Sequence, residues 1–243
     1  MAGHSKWANI KHRKGKADAA KGKVFTRVTK EIISAVKQGG PDPKSNPKLR
    51  LALQKAKAAN LPNDNIERNI KKATSKEQQD YFEITYELYG HGGVGMIVEI
   101  MTDNKNRIAS DMRIATNKRG GTIASPGSVA FNFDKKGIIH VLRKGIDEDD
   151  LFLKVSEGGA EDFDKTEETY VVITAPEDLY KIKELLDEQG IKTEEVKFEM
   201  IPKVYVECNE ETLQANEALI EWLEGLDDVD SVYHNMVPVG ALS

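Results

Sequence analysis

At 243 residues, 39% hydrophobic and 31% charged, the chain has the composition of an ordinary globular protein with room for two or three domains. Its one cysteine, Cys208, excludes a disulfide-built secreted scaffold, and no apolar run approaches the roughly 18 residues of a membrane span. The net charge of −5 conceals a segregation: residues 1–77 hold 19 of the 35 Lys and Arg but 6 of the 40 Asp and Glu, a net +13, which leaves −18 for residues 78–243. Such an imbalance speaks about partners and field rather than fold, and goes well beyond a solvated lysine-rich surface. The N-terminus shows no apolar signal core, and Gly3 stands one position too late for myristoylation. A cytoplasmic protein with no membrane attachment is therefore expected.

Residues 1–23, M-A-G-H-S-K-W-A-N-I-K-H-R-K-G-K-A-D-A-A-K-G-K, hold little apolar material apart from Trp7 and Ile10, which would pin the start of the segment. Gly15 and Gly22 each weaken a helix by about 1 kcal/mol, so the stretch reads as an arm that orders on meeting an anion. From about residue 24 a helical period appears: Val24, Val28, Ile32 and Val36, widened by Phe25 and Ile33 and stopped by Gly39-Gly40. After the turn P-D-P-K-S-N-P, Pro47 sits at a first helical position behind Asn46 as N-cap. Leu49, Ala52, Leu53 and Ala56 mark this second helix, and Ile66, Ile70 and Ala73 a third. Three short amphipathic helices can share one small core and leave Lys and Arg outside.

The character changes after Lys76. Residues 81–89, Y-F-E-I-T-Y-E-L-Y, and 96–101, M-I-V-E-I-M, read as strands joined by the hairpin signal G-H-G-G-V. A helix is predicted over Asn104–Arg119, closed by Gly120-Gly121, and a strand over Ser128–Phe133. Residues 137–201 then alternate in the order βαββαβ: strand Ile138–Leu142, helix Asp147–Glu157, strand Glu161–Phe163, strand Tyr170–Thr174, helix Pro176–Gln189, strand Glu195–Met200. That is the split-βαβ, ferredoxin-like arrangement. The tail offers a strand at Val204–Glu207, a helix at Glu210–Glu224 and a strand at Ser231–Asn235, expected to complete the sheet begun at 81–133. The fold class is thus α+β in three domains: 1–77, a basic arm and three-helix domain; 78–135 plus 203–243, a discontinuous α+β domain; and 136–202, a ferredoxin-like domain inserted in it.

Most motif chemistry fails its context. Gly90, Gly92 and Gly95 spell G-x-G-x-x-G, but a dinucleotide site needs the third glycine to open a helix, and here a strand follows. His4, His12, His91, His140 and His234 show no metal-ligand spacing. Glu148, Asp149 and Asp150 suit a helix start, Asp227, Asp228 and Asp230 a turn, and Trp222 and Leu223 an inner helix face. G-x-S-x-G and the P-loop pattern are absent. No catalytic residue, metal or cofactor is expected. What remains is the basic constellation: Lys6, Lys11, Arg13, Lys14, Lys16, Lys21, Lys23 and Arg27, opposed only by Asp18, with His4 and His12 as further phosphate contacts. If roughly five met phosphates on duplex DNA, log K would fall with log salt at a slope near −4.5. Phosphate contacts do not separate DNA from RNA.

Several longer motifs resemble the YebC/PmpR family, which includes the mitochondrial translational activator of cytochrome oxidase subunit one. They are the opening segment 1–23, L-P-x-D-N-I-E-R-x-I-K-K-A at 61–73, Y-G-x-G-G-V at 89–94, T-D-N-K-N-R at 102–107 and D-V-D-S-V-Y-H-N at 228–235. His91 stands where the family pattern leads one to expect proline, and A-F-N-F at 130–133 replaces a more usual A-W-M-F. The resemblance implies a helical N-terminal domain and two α+β domains, the last inserted in the middle one. It also implies a cytoplasmic, non-enzymatic regulator described as a DNA-binding transcription factor. Some members are implicated instead at the ribosome, where they ease synthesis through proline-rich stretches. The expected partner is DNA or ribosomal RNA through the arm, with a ribosomal or other protein partner for the acidic domains. The rival from another class is an enzyme with its site in the cleft between those domains.

Overall fold

A computed structural model describes residues 17–75 and 80–241, with side chains from residue 22 onward. Helix α1 spans Ala17–Gly39 and begins well before Val24, so the expectation of a non-helical arm over the whole of 1–23 is corrected for residues 17–23. Ala17, Ala19 and Ala20 are the best helix formers, and they outweigh the cost of one glycine. The Thr26 hydroxyl donates to the Gly22 carbonyl, 3.0 Å away, within this turn. Val28, Ile32, Ile33 and Val36 are buried, whereas Val24, the first of the predicted stripe, is 45% exposed.

Helix α2 (Pro47–Ala58) follows a turn that Asn46 organises. Buried Asn46 accepts from the Leu49 N–H at 3.0 Å as an N-cap, and its amide nitrogen donates to the carbonyls of Ala35 and Gly40, both at 2.8 Å. One side chain thereby satisfies orphan groups at the end of α1 and the start of α2. The approach is close enough that a Cβ on Gly39 would lie 2.8 Å from it. Helix α3 (Asn63–Ala73) buries Ile66 and Ala73.

The chain is α+β: this N-terminal helical domain is followed by two α+β parts, each on a four-stranded sheet. The first sheet has the order β3-β1-β2-β9, from β1 (Phe82–Tyr89), β2 (Gly95–Thr102), β3 (Thr122–Ile123) and β9 (Val229–His234), all antiparallel to their neighbours. Helices α4 (Lys105–Arg119) and α7 (Glu210–Glu224) cover one face. Strand alternation sends Met96, Val98 and Ile100 into a core with Ile108, Met112, Ala115, Leu219 and Leu223, and sends Ile97 to the opposite face with Val129, Phe133 and Tyr233. Strands β8 (Val206–Cys208) and β10 (Met236–Pro238) form a separate parallel pair. Of the tail, then, only β9 completes the first sheet.

The second sheet has the order β5-β6-β4-β7, from β4 (Phe133–Leu142), β5 (Asp162–Lys165), β6 (Thr169–Thr174) and β7 (Thr193–Pro202). Helices α5 (Glu148–Gly158) and α6 (Leu179–Glu188) complete the βαββαβ sequence. The Asp147 side chain caps α5 by accepting from the Asp150 N–H at 2.9 Å. Ile139, Val141, Tyr170 and Val172 pack on Leu151, Val155, Leu179, Ile182 and Leu186. This segment lies in the chain between strands of the first sheet. The chain forms two compact units, one from residues up to Val28, Arg50–Ile66 and Lys135–Glu199, the other from Thr29–Leu49, Glu67–Asp134 and Met200 onward.

Two further differences have local causes. The strand predicted over Ser128–Phe133 is instead a 3₁₀ turn, Ala130–Asn132, before β4 opens at Phe133. The buried Glu87 carboxylate draws three backbone N–H groups, of Gly127, Val129 and Ala130, toward one point and curls the chain there. Helix α6 begins at Leu179 rather than Pro176, after a turn closed by the Asp178 N–H on the Ala175 carbonyl.

Candidate nucleic-acid interface

Of the predicted binding residues, His4, Lys6, Lys11, His12, Arg13, Lys14 and Lys16 lie outside the described residues. Lys21, Lys23 and Arg27 belong to α1; Lys23 is exposed and Arg27 half-buried. More basic side chains follow on the helical domain. Lys48, Arg50 and Lys57 of α2 and Arg68, Lys71 and Lys72 of α3 are exposed. Some helical lysines are already committed: Lys37 pairs with Asp80 at 2.8 Å, and Lys48 donates to Gln38 Oε1 at 2.6 Å. Exposed lysines and arginines are the side chains that phosphate contacts use, and such contacts carry no base identity.

The carboxylate group at 227–230 begins in a turn at 227–228, as its residues suggest, and that turn also contains a buried ionic centre. Asp228 is 8% exposed, and its Oδ2 accepts from Arg107 Nη2 at 2.5 Å, Arg107 Nε at 3.2 Å and the Thr102 hydroxyl at 2.9 Å. Lys30 stands 3.5 Å from its Oδ1 and donates to the Met101 carbonyl at 2.9 Å. Arg107 also binds Asp103 at 2.7 Å. Burial pushes the Asp228 carboxyl up, but the hydrogen bonds from Arg107 and Thr102 and the charges of Arg107 and Lys30 outweigh it and hold the group below the carboxylate range. The same bonds raise Arg107 above the ordinary arginine value. The T-D-N-K-N-R motif thus forms a corner: Asn104 caps α4 by accepting from the Asn106 and Arg107 N–H groups, while Thr102 and Arg107 clasp Asp228. The sequence signal for this was the two motifs themselves, whose partnership only the fold reveals.

The other motifs are structural too. At the β1–β2 hairpin Gly92 and Gly93 adopt φ of 67° and 78°, and Gly95 opens a strand, not a helix. Buried Asn216 of α7 accepts from the His91 N–H at 2.9 Å and donates to the His91 carbonyl at 3.1 Å. His91 Nε2 meets the Arg119 carbonyl at 2.8 Å; since a carbonyl only accepts, this nitrogen bears the proton. Burial pushes the Cys208 thiol up, away from thiolate chemistry. Among the described residues no group of three His, Cys, Asp or Glu is placed to hold a metal ion, and no helix is long and apolar enough to cross a membrane.

Comparison with known proteins completes this picture. The chain is 64% identical over 236 residues to a protein of Protochlamydia amoebophila named "Probable transcriptional regulatory protein", covering 97% of this chain and 96% of that one. It is 60% identical over 237 residues to a protein of the same name in Chlamydia pneumoniae, covering 97% and 100%. Among solved structures, that of a conserved hypothetical protein, Aq1575, from Aquifex aeolicus matches with a TM-score of 0.78 at 43% identity, over 96% of this chain and 97% of that one. Residues 5–76 match the TACO1/YebC protein N-terminal domain and residues 81–236 the TACO1/YebC second and third domain, so the chain belongs to the TACO1/YebC family, whose relatives here are named as regulators of transcription and not as enzymes.

Proposed function

We propose that this chain is a non-enzymatic regulator of gene expression in the cytoplasm, holding nucleic acid through its basic first third, and that DNA in transcriptional control is its first target. The observation that carries this reading is the net +13 over residues 1–77 against −18 beyond them. The names of its relatives support it. The binding residues are His4, Lys6, Lys11, His12, Arg13, Lys14, Lys16, Lys21, Lys23 and Arg27, on the first of three domains bounded at 1–77, 78–135 with 203–243, and 136–202. The acidic α+β domains then act as a partner-binding or spacing body, repelled by the polyanion the first domain holds.

The test replaces Arg13, Lys14, Lys16, Lys21 and Lys23 by glutamine. Binding to nucleic acid at physiological salt is expected to be lost with little change in Tm, because none of these positions is a core residue of the helical stripe. Retained binding would refute the reading. Crosslinking in cells followed by sequencing of the bound nucleic acid identifies the target. Promoter DNA is the expected result, whereas ribosomal RNA would move the function to translation at the ribosome.

A further inference from the structure

Helix α4 is the most cationic element of the acidic part among the described residues. It holds Lys105, Arg107, Arg113, Lys118 and Arg119 against a single carboxylate, Asp111. Three of these cations are engaged: Lys105 lies 4.2 Å over the Phe82 ring, Arg119 lies 5.1 Å over Trp222, and Arg107 binds Asp103 and Asp228. Arg113 and Lys118 are exposed and make no ion pair among the described residues. With Asn106, Ser110 and Asn117 they form one outward stripe at helical spacing, and Ile114 stands 47% exposed among them. The opposite face, Ile108, Met112 and Ala115, is locked into the core. The stripe is therefore presented rigidly. Beside it α7 exposes Glu210, Glu211, Glu217 and Glu221.

We infer that the outer face of α4 is a second nucleic-acid contact, independent of the N-terminal segment. Arg113 and Lys118 meet backbone phosphates, and Asn106, Ser110, Asn117 and Ile114 provide short polar and apolar groups of the kind that touch base edges or sugars. The glutamates of α7 repel the same polyanion and confine it to the α4 side. The inference rests on the nucleic-acid reading above, and it names where the acidic body itself takes hold. A polyanion fits this face by charge, since Arg113 and Lys118 stand about one and a half helical turns apart, and repeated phosphates can meet both at once.

The test uses the full chain, a mixed-sequence DNA duplex and an RNA hairpin of matching sequence, with affinity measured by fluorescence anisotropy across a KCl series. R113Q/K118Q should leave Tm unchanged, since both side chains are exposed, and should make the slope of log K against log salt on the DNA duplex shallower by about 1.8, two phosphate contacts at about 0.9 each. K144Q/K192Q, which removes the same charge at exposed positions of the other unit, is the control and should leave the slope unchanged. A parallel change on the hairpin identifies RNA as a target of this face, and a change confined to the duplex identifies DNA. If R113Q/K118Q matches the control on both probes, the inference is overturned. If the arm-neutralised chain then still loses binding, the arm reading stands alone. A wild-type chain that binds neither probe overturns both. Loss of a dimer in sedimentation with an unchanged slope assigns the face to a second copy of the chain and overturns the inference.

Discussion

Replacing Glu87 by glutamine tests whether a carboxylate shapes the loop that leads into β4. Glu87 lies on β1 and is 7% exposed; its Oε1 accepts from the Gly127 N–H at 2.6 Å, and its Oε2 accepts from Val129 at 2.6 Å and Ala130 at 2.8 Å. Glutamine keeps the shape but turns one oxygen into an NH2 donor. Its better orientation retains the two bonds to Val129 and Ala130 as neutral ones and sets a donor against the Gly127 N–H. Hydrogen bonds to a charged group contribute about 1.5–3 kcal/mol each and neutral ones about 1 kcal/mol, so the change costs about 3 kcal/mol. For a chain of this size that lowers Tm by roughly 6–12 °C at neutral pH. The sign of the pH dependence follows from the same geometry. Burial pushes the Glu87 carboxyl up, but the three N–H donors outweigh it and hold the group below its ordinary value of 4.5. Its contribution is therefore full above about pH 4.5 and lost as pH falls through the lower folded value. Melts of wild type and E87Q followed by circular dichroism should differ most at neutral pH and converge on acidification. Equal Tm values at pH 7, or a gap that persists unchanged into acid, would refute the reasoning.

Two other substitutions probe the rest of the frame. D228N leaves Arg107 and Lys30 facing a neutral amide; breaking a buried pair costs about 3–5 kcal/mol, discounted to about 2–3 kcal/mol because the Arg107 side chain is 47% exposed. The urea midpoint should fall accordingly, and an unchanged midpoint would remove Asp228 from any structural role. G22A places a methyl where no atom lies within 4 Å, inside α1, and should raise Tm and helicity by an amount equivalent to about 0.5–1 kcal/mol. A fall in either would show that the helix does not extend ahead of Val24.

The parts of the fold that short-range physics determines were legible in the residues. Asn46-Pro47 announced a capped helix start, the glycines at 90–95 a hairpin, and the alternation over 137–201 a split-βαβ unit whose strand order the second sheet shows. The structure departs from the local pattern where a partner far along the chain overrides it. Val129 and Phe133 have the composition of a strand, yet Glu87, some forty positions earlier, takes the N–H groups a strand would have used. Asp228 does lie in a turn before β9, as its residue type suggests. Its pairing with Arg107, 121 positions away, cannot be read from either neighbourhood. The early start of α1 has a different cause, since the helix propensity of Ala17, Ala19 and Ala20 outweighs the cost of a single glycine. At the interface the charge was visible at once, but α4 was legible only as a helix; which of its cations are engaged and which stand free depends on Phe82, Trp222 and Asp228 packing beneath it.

A net charge of −5 argues against polyanion binding only if charge acts as a sum. At physiological ionic strength the Debye length is about 8 Å, so a phosphate senses the charges within about that distance and little of the net sum. Segregation therefore achieves what dilution would not: the same 35 cations and 40 anions, interspersed, would cancel everywhere. On the nucleic-acid reading proposed above, the concentrated cations of residues 1–77 would draw phosphates and the concentrated carboxylates beyond them would repel them. Within the acidic part the same logic recurs on a smaller scale, with α4 and α7 side by side on one sheet face and opposite in sign. On the inference drawn above, a nucleic acid would be accepted along α4 and rejected along α7, so its placement on this sheet face would follow from the placement of charge along the chain.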